Sequence, residues 1–154
     1  RACARATEHV PELIAQLFGA GCLDSSTCLH NSRLGFSLGE PAVNSYLANG
    51  RFEPHRDQQS LTVLIPLSEP GTFEGGGTAF WSAASCNADP AAAGEVAPTL
   101  QLTPPSGTAL LFCGSVVHAG QATTSGERCV LVASFSPLDE CEGRHGVLVR
   151  RVLQ

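Results

Sequence analysis

The chain has no lysine, no methionine, one Trp and one Tyr, and its seven cysteines include no Cys-x-x-Cys pair. Each absence narrows what the protein can do. Without lysine, the nine arginines are the only permanent cations, and only Arg150-Arg151 are adjacent. With a net charge of −5, this argues against a nucleic-acid phosphate backbone as the main partner, because such binding is driven by counterion release onto basic side chains. No apolar run approaches the roughly 20 residues that a helix needs to cross a bilayer; Thr108–Cys113 and Cys129–Ala133 are among the longest. A soluble chain with no membrane partner is therefore expected. Arg1–Ala6 lacks the apolar core of a signal peptide, so any targeting segment was removed or never existed. An odd cysteine count leaves at least one thiol unpaired within the chain. Cys22 and Cys28, in a polar stretch, form the best candidate disulfide, while Cys113 and Cys129 read as buried small hydrophobes. The compartment and the oligomeric state stay open.

What is present fits a single domain over residues 1–154: 43% of residues are hydrophobic and only 15% charged, enough to bury one core. One amphipathic helix is expected near the start, with Thr7 as its cap, Pro11 in its first turn, Val10, Ile14, Leu17 and Phe18 at helical spacing, and Gly19 as its stop. The helical period then disappears. Strand-like runs follow at Leu34–Leu38, Ala42–Ala48, Ser60–Leu67, Thr78–Trp81, Thr99–Thr103, Thr108–Cys113, Arg128–Phe135 and Val147–Leu153, each bounded by Gly, Pro, Asn or Ser. That punctuation predicts a mainly β sandwich or barrel. Ser82–Pro98 and Gly19–Ser32 have little periodicity and read as surface loops.

Among the five histidines, His9, His30 and His145 have no ligand pattern around them. His55 is followed by Arg56 and Asp57, so an imidazole and a carboxylate on one face of an extended segment can reach one cation. His118 comes just after the apolar run Thr108–Cys113 and the turn pair Gly114-Ser115, a place from which a side chain can face a barrel interior. Two His and one carboxylate with open positions suit non-haem Fe(II) that binds oxygen and a co-substrate. Arg128, ten residues after His118, points into the same cavity if the two runs are neighbouring strands, and a guanidinium there takes a carboxylate in bidentate fashion.

Read together, Tyr46–Asp57 (YLANGRFEPHRD), Leu61–Trp81 (LTVLIPLSEPGTFEGGGTAFW) and Gly107–Pro137 (GTALLFCGSVVHAGQATTSGERCVLVASFSP) resemble the core of the 2-oxoglutarate- and Fe(II)-dependent dioxygenases. The resemblance lies in the prolyl and lysyl hydroxylase branch, and Phe73–Phe80 and His118–Pro137 look most like the catalytic domain of procollagen lysyl hydroxylases. It covers roughly residues 42–137. It implies a double-stranded β-helix, or jelly roll, with an N-terminal helix packed on one sheet. It also implies His55, Asp57 and His118 as iron ligands, and Arg128 as partner of the distal carboxylate of 2-oxoglutarate. Tyr46 matches a tyrosine near the co-substrate, and Thr62 adds a hydroxyl to the same pocket. The activity implied is hydroxylation of a C–H bond, most readily of peptidyl proline or lysine, using Fe(II), 2-oxoglutarate, O2 and ascorbate and releasing succinate and CO2.

The sequence departs from that family at three places. Val130 stands where an Arg-x-Ser pattern would put a hydroxyl beside Arg128, Pro66 where several prolyl hydroxylases carry a Tyr, and Leu64 where the lysyl hydroxylases carry an Asn. Phe52, Phe80, Trp81 and Phe112 are candidates for apolar walls, Gly75, Gly76 and Gly77 for a tight turn, and the two loops for lids. An acidic protein favours a cationic peptide or protein partner. A small-metabolite or free amino acid dioxygenase, a cupin-like metal protein and a non-catalytic jelly-roll binding module are the competing readings.

Overall fold

The computed structural model describes residues 2–18, 33–138 and 149–153. Two short helices come first, α1 (Ala2–His9) and α2 (Pro11–Phe18). The sequence suggested one helix capped by Thr7, but Thr7 lies inside α1 and the break falls at Val10. The cause is local: a residue that precedes proline is disfavoured in the α conformation, and proline is well suited to open a new helix.

Twelve strands follow in the described residues: β1 (Leu34–Phe36), β2 (Ala42–Tyr46), β3 (Phe52–His55), β4 (Leu61–Pro66), β5 (Phe73–Gly75), β6 (Thr78–Trp81), β7 (Leu100–Leu102), β8 (Leu110–Cys113), β9 (Val117–Gly120), β10 (Thr123–Gly126), β11 (Arg128–Pro137) and β12 (Val149–Leu153). The larger sheet runs β12-β2-β11-β4-β8, with β1 also on β11, and the smaller runs β3-β9-β6-β7. β5 and β10 make a separate antiparallel ribbon. Successive segments cross between the two sheets, so β2, β11, β4 and β8 form one wall and β3, β9, β6 and β7 the other. This is the strand order of a double-stranded β-helix, the jelly roll expected from the sequence. All pairings are antiparallel except β12 on β2.

Alternation along the strands sorts the side chains. On the larger sheet Leu61, Val63 and Phe135 turn outward and pack with Ile14 of α2, flanked by Leu13, Leu34, Phe36, Ile65, Leu111 and Ala133. The N-terminal helical segment therefore covers this sheet's outer face. On the smaller sheet Ala79, Trp81, Val117 and Ala119 turn outward and pack with Cys86 and Ala93. Those two residues come from α3 (Ala83–Cys86) and α4 (Pro90–Ala93). Ser82–Pro98 is thus a pair of helical turns with two buried anchors, not a bare surface loop. Ser82 and Asp89 cap the two turns through their side chains. The segment covers the outside of the smaller sheet, which corrects its assignment as a lid. Gly19–Ser32 and the candidate bridge Cys22–Cys28 lie outside the described residues. Cys113 and Cys129 are half-buried, not core, and their sulfurs meet the hydroxyls of Ser115 at 3.0 Å and Ser45 at 3.4 Å.

Candidate metal centre and anion pocket

The inward faces of the two sheets carry the chemistry. His55 and His118 stand opposite each other in the β3–β9 ladder, with ring centroids 4.3 Å apart. His118 belongs to a strand of the smaller sheet and not to the end of the apolar run before it. Asp57 is no strand neighbour of His55 either, because β3 ends at His55. Two contacts hold Asp57: its N–H donates to the Gly114 carbonyl at 2.9 Å, and the Thr62 hydroxyl donates to its Oδ2. The approach at Gly114 leaves no room for a side chain, since a Cβ there would sit 2.0 Å from the Gln59 carbonyl oxygen.

His55 Nδ1 is 2.7 Å from the Glu53 carbonyl oxygen and His118 Nδ1 is 3.0 Å from that of Val116. Because a carbonyl only accepts, each Nδ1 carries a proton, which leaves Nε2 as the ring atom that can ligate. Both Nε2 atoms face Asp57, one at 3.6 Å from Oδ1 and the other at 3.6 Å from Oδ2. The three ligand atoms lie within 4.8 Å of one another; bonds of about 2.1 Å to nitrogen and oxygen allow at most about 4.2 Å between two ligands of one ion, so small side-chain movements would close the three around it. Their chemistry fits a divalent metal: two imidazoles and a carboxylate on one side, with the cavity on the other.

Apolar rings surround the histidines. Phe112 meets His118 edge-on at 4.6 Å, Phe80 lies 6.3 Å from it and Phe52 lies 4.5 Å from His55. Of the four candidate wall residues, Phe52 lines the cavity and Phe80 and Phe112 pack against His118, whereas Trp81 faces outward and donates its indole N–H to the Val96 carbonyl. His118 is 4% exposed. Burial first, and the neighbouring His55 second, hold its pKa below the ordinary histidine value, against the opposing pull of the Val116 carbonyl and Asp57. The neutral form that results is the one that ligates.

Arg128 opens β11 in the other sheet, across from Tyr46 in the β2 register. The expectation that its strand neighbours that of His118 is corrected: β11 pairs with β1, β2 and β4, and the two residues face each other across the sandwich. Its guanidinium carbon lies 5.0 Å from the Tyr46 ring centroid. Burial lowers the Arg128 pKa, and the charge and hydrogen bond of Tyr46 oppose that shift. The side chain is 4% exposed and its Nη1 is enclosed without a hydrogen-bond partner. No described carboxylate forms an ion pair with it. Gly76, at φ +73°, makes room for its stem, since a Cβ there would lie 2.7 Å from Arg128 Cδ. The run Gly75, Gly76 and Gly77 has positive φ throughout, which accounts for glycine on backbone grounds.

One cavity of about 280 Å³ joins these groups: His55, Asp57, His118, Tyr46 and Arg128 all line it, with Leu64, Val130 and Val132 as apolar wall. Ser37, Leu38, Arg56 and Gln58 are also on its lining, and Leu38 is 92% exposed, which marks that side as the mouth. Thr62 is fully buried and its hydroxyl is directed to Asp57 instead of a co-substrate. Sequence reasoning missed Asn44 and Glu40. Asn44 is 6% exposed, lines the cavity and has an unpartnered Oδ1; Glu40 accepts from the Ser134 hydroxyl at 2.6 Å and from its N–H. The signal for Asn44 was its place two residues before Tyr46 in a strand, on the same face.

No helix among the described residues is long and apolar enough to cross a membrane. No family model and no curated protein matches the chain. An RmlC-like cupin protein from Desulfovibrio desulfuricans is similar in backbone path over 68% of this chain and 83% of that one, at 10% identity and a TM-score of 0.36. That likeness is too loose to inform function, so the functional reading depends on the site.

Proposed function

We propose that the protein is an Fe(II)- and 2-oxoglutarate-dependent dioxygenase that hydroxylates a C–H bond, most readily in a peptidyl proline or lysine. One observation carries the proposal: three side chains able to hold a metal and a buried guanidinium with an unpaired nitrogen line the same cavity. A cation enclosed without a counter-charge costs several kcal/mol, and an anionic ligand removes that cost. A dicarboxylic keto acid satisfies both ends at once, its distal carboxylate on Arg128 and its keto acid end toward the ligand cluster.

His55, Asp57 and His118 would hold the iron, which when bound supplies the activation of O2 that couples decarboxylation of the keto acid to C–H oxidation. The protein's own tasks are positional. The Glu53 and Val116 carbonyls fix the two imidazoles, Thr62 fixes the carboxylate, and Phe80 and Phe112 exclude water around His118. The substrate class comes from the resemblance over residues 42–137, and the open side at Leu38, Arg56 and Gln58 leaves room for a chain segment.

The test is mass spectrometry of peptide libraries incubated with protein, Fe(II), 2-oxoglutarate and ascorbate. The expected result is succinate together with peptides that gain one oxygen. Succinate without peptide oxidation redirects the proposal to a small metabolite or free amino acid. No succinate, with ligand affinity unchanged in His118→Ala, leaves a binding module and ends the enzymatic reading.

A further inference from the structure

Resting on the dioxygenase reading, we propose that the Asn44 carboxamide is the second group that binds the distal carboxylate of the keto acid, beside Arg128. A carboxylate offers two oxygens and about four lone-pair sites, and Arg128 brings one unpaired nitrogen to them. On the sheet that carries Arg128, the other side chains facing that space are Tyr46, Asn44, Leu64, Val130 and Val132. The Tyr46 hydroxyl already takes a hydrogen bond from the guanidinium. Leu64, Val130 and Val132 have no donor. Asn44 is the polar side chain that remains on this sheet.

Its position suits the role. Asn44 pairs with Val130 in the β2–β11 register, two residues and one inward-facing rung along from the Tyr46–Arg128 pair. Inward side chains on neighbouring rungs are diagonal neighbours, about 7–8 Å apart at the backbone and within reach of long side chains. Asn44 therefore flanks the guanidinium on the side toward the metal ligands. The sequence lacks a hydroxyl at position 130, and the amide stands directly across the ladder from that gap. Among the described residues nothing hydrogen-bonds the amide, and its Oδ1 is enclosed. The enclosed atom is the oxygen and not the NH2, so the end of the amide that carries two donors is the one left to meet a carboxylate in the cavity that Asn44 lines.

Binding calorimetry on the Mn(II)-loaded protein, which reads affinity without turnover, tests this with two probes. 2-Oxoglutarate has the distal carboxylate; 2-oxobutyrate has the same keto acid end without it. Asn44→Leu is expected to weaken 2-oxoglutarate about tenfold or more, the usual cost of one hydrogen bond to a charged group, and to leave 2-oxobutyrate and Mn(II) affinity unchanged. Adding Val130→Ser to Asn44→Leu is expected to recover part of the loss, which a merely structural role for Asn44 would not produce. Equal weakening of both probes, or loss in Thr78→Val on the opposite sheet with none in Asn44→Leu, overturns the assignment. If wild type binds 2-oxoglutarate, Arg128→Ala weakens it and Asn44→Leu does not, only the Asn44 proposal fails. If wild type shows no preference for 2-oxoglutarate over 2-oxobutyrate, the dioxygenase reading fails with it.

Discussion

On its outer face the larger sheet presents Leu61, Val63 and Phe135 to Ile14, while on its inner face the same strands turn Asn44, Tyr46, Thr62 and Arg128 toward the smaller sheet. The smaller sheet repeats the division, with Trp81, Val117 and Ala119 outward under α3 and α4 and His118 inward. In most sandwiches the space between the sheets is the apolar core. Here the two largest apolar clusters lie outside, under helices, and the interior sets two imidazoles, a carboxylate and a guanidinium among apolar side chains such as Phe80, Phe112, Val130 and Val132. Stability and chemistry are thereby assigned to opposite faces of the same strands, so substitutions one residue apart should act on different properties.

The largest effect is expected at the interior ligand cluster. Asp57→Ala removes one of three ligand side chains and should lower metal affinity and turnover by more than the roughly 10–100-fold that loss of an outer-shell partner costs. Its denaturation midpoint without metal should fall less than that of a core truncation, because the lost group belongs to no apolar core and leaves one buried hydroxyl, that of Thr62, without its acceptor. Activity assays and equilibrium denaturation on the same preparation check both halves. Ile14→Ala should give the reverse. Ile14 is fully buried on the outer face, and the cavity left by such a truncation costs about 2–5 kcal/mol, read by denaturation, with metal affinity unchanged.

Arg128→Met sharpens the comparison further. Because the guanidinium is buried with no carboxylate partner among the described residues, replacing it by an apolar side chain should leave the ligand-free protein as stable as wild type or more stable by about 1–4 kcal/mol. The 2-oxoglutarate concentration needed for half-maximal turnover should rise by tens-fold, since charge-assisted hydrogen bonds to a carboxylate contribute about 1.5–3 kcal/mol each. A variant that is less stable and keeps its co-substrate requirement would show that the outer and inner faces are not separate.

The outer faces were the legible part of the sequence. Runs such as Leu61–Pro66 and Leu110–Cys113 alternate or persist in apolar residues and end at turn formers, so each of the eight strands expected has a counterpart. Four strands were not foreseen: β3, β5, β9 and β10. Phe52–His55 contains Glu, Pro and His, and Thr123–Gly126 has no apolar residue, because their strand state comes from distant partners and not from local pattern. Two of these unseen strands carry the histidines. The pairing of His55 with His118 in register is invisible to spacing; donor chemistry and the resemblance joined the two as ligands, not as strand partners. Local reasoning placed Asp57 on an extended His-x-Asp face, whereas Gly114, distant in sequence, and Thr62, on the strand that follows, are what hold it.

Thr62 gives the finest test of that division, because it is a fully buried strand residue whose hydroxyl serves the interior. Thr62→Val keeps the shape and the β-branched fit to the sheet while removing the donor to Asp57 Oδ2. With the apolar faces untouched, the loss falls on the carboxylate's orientation, at the lower end of what an outer-shell partner contributes. Metal affinity should fall about tenfold, the 2-oxoglutarate affinity of the metal-saturated protein should not change, and Thr62→Ser should retain wild-type metal binding. Raised 2-oxoglutarate requirement in metal-saturated Thr62→Val would instead place the hydroxyl in the co-substrate pocket, where the family resemblance had put it.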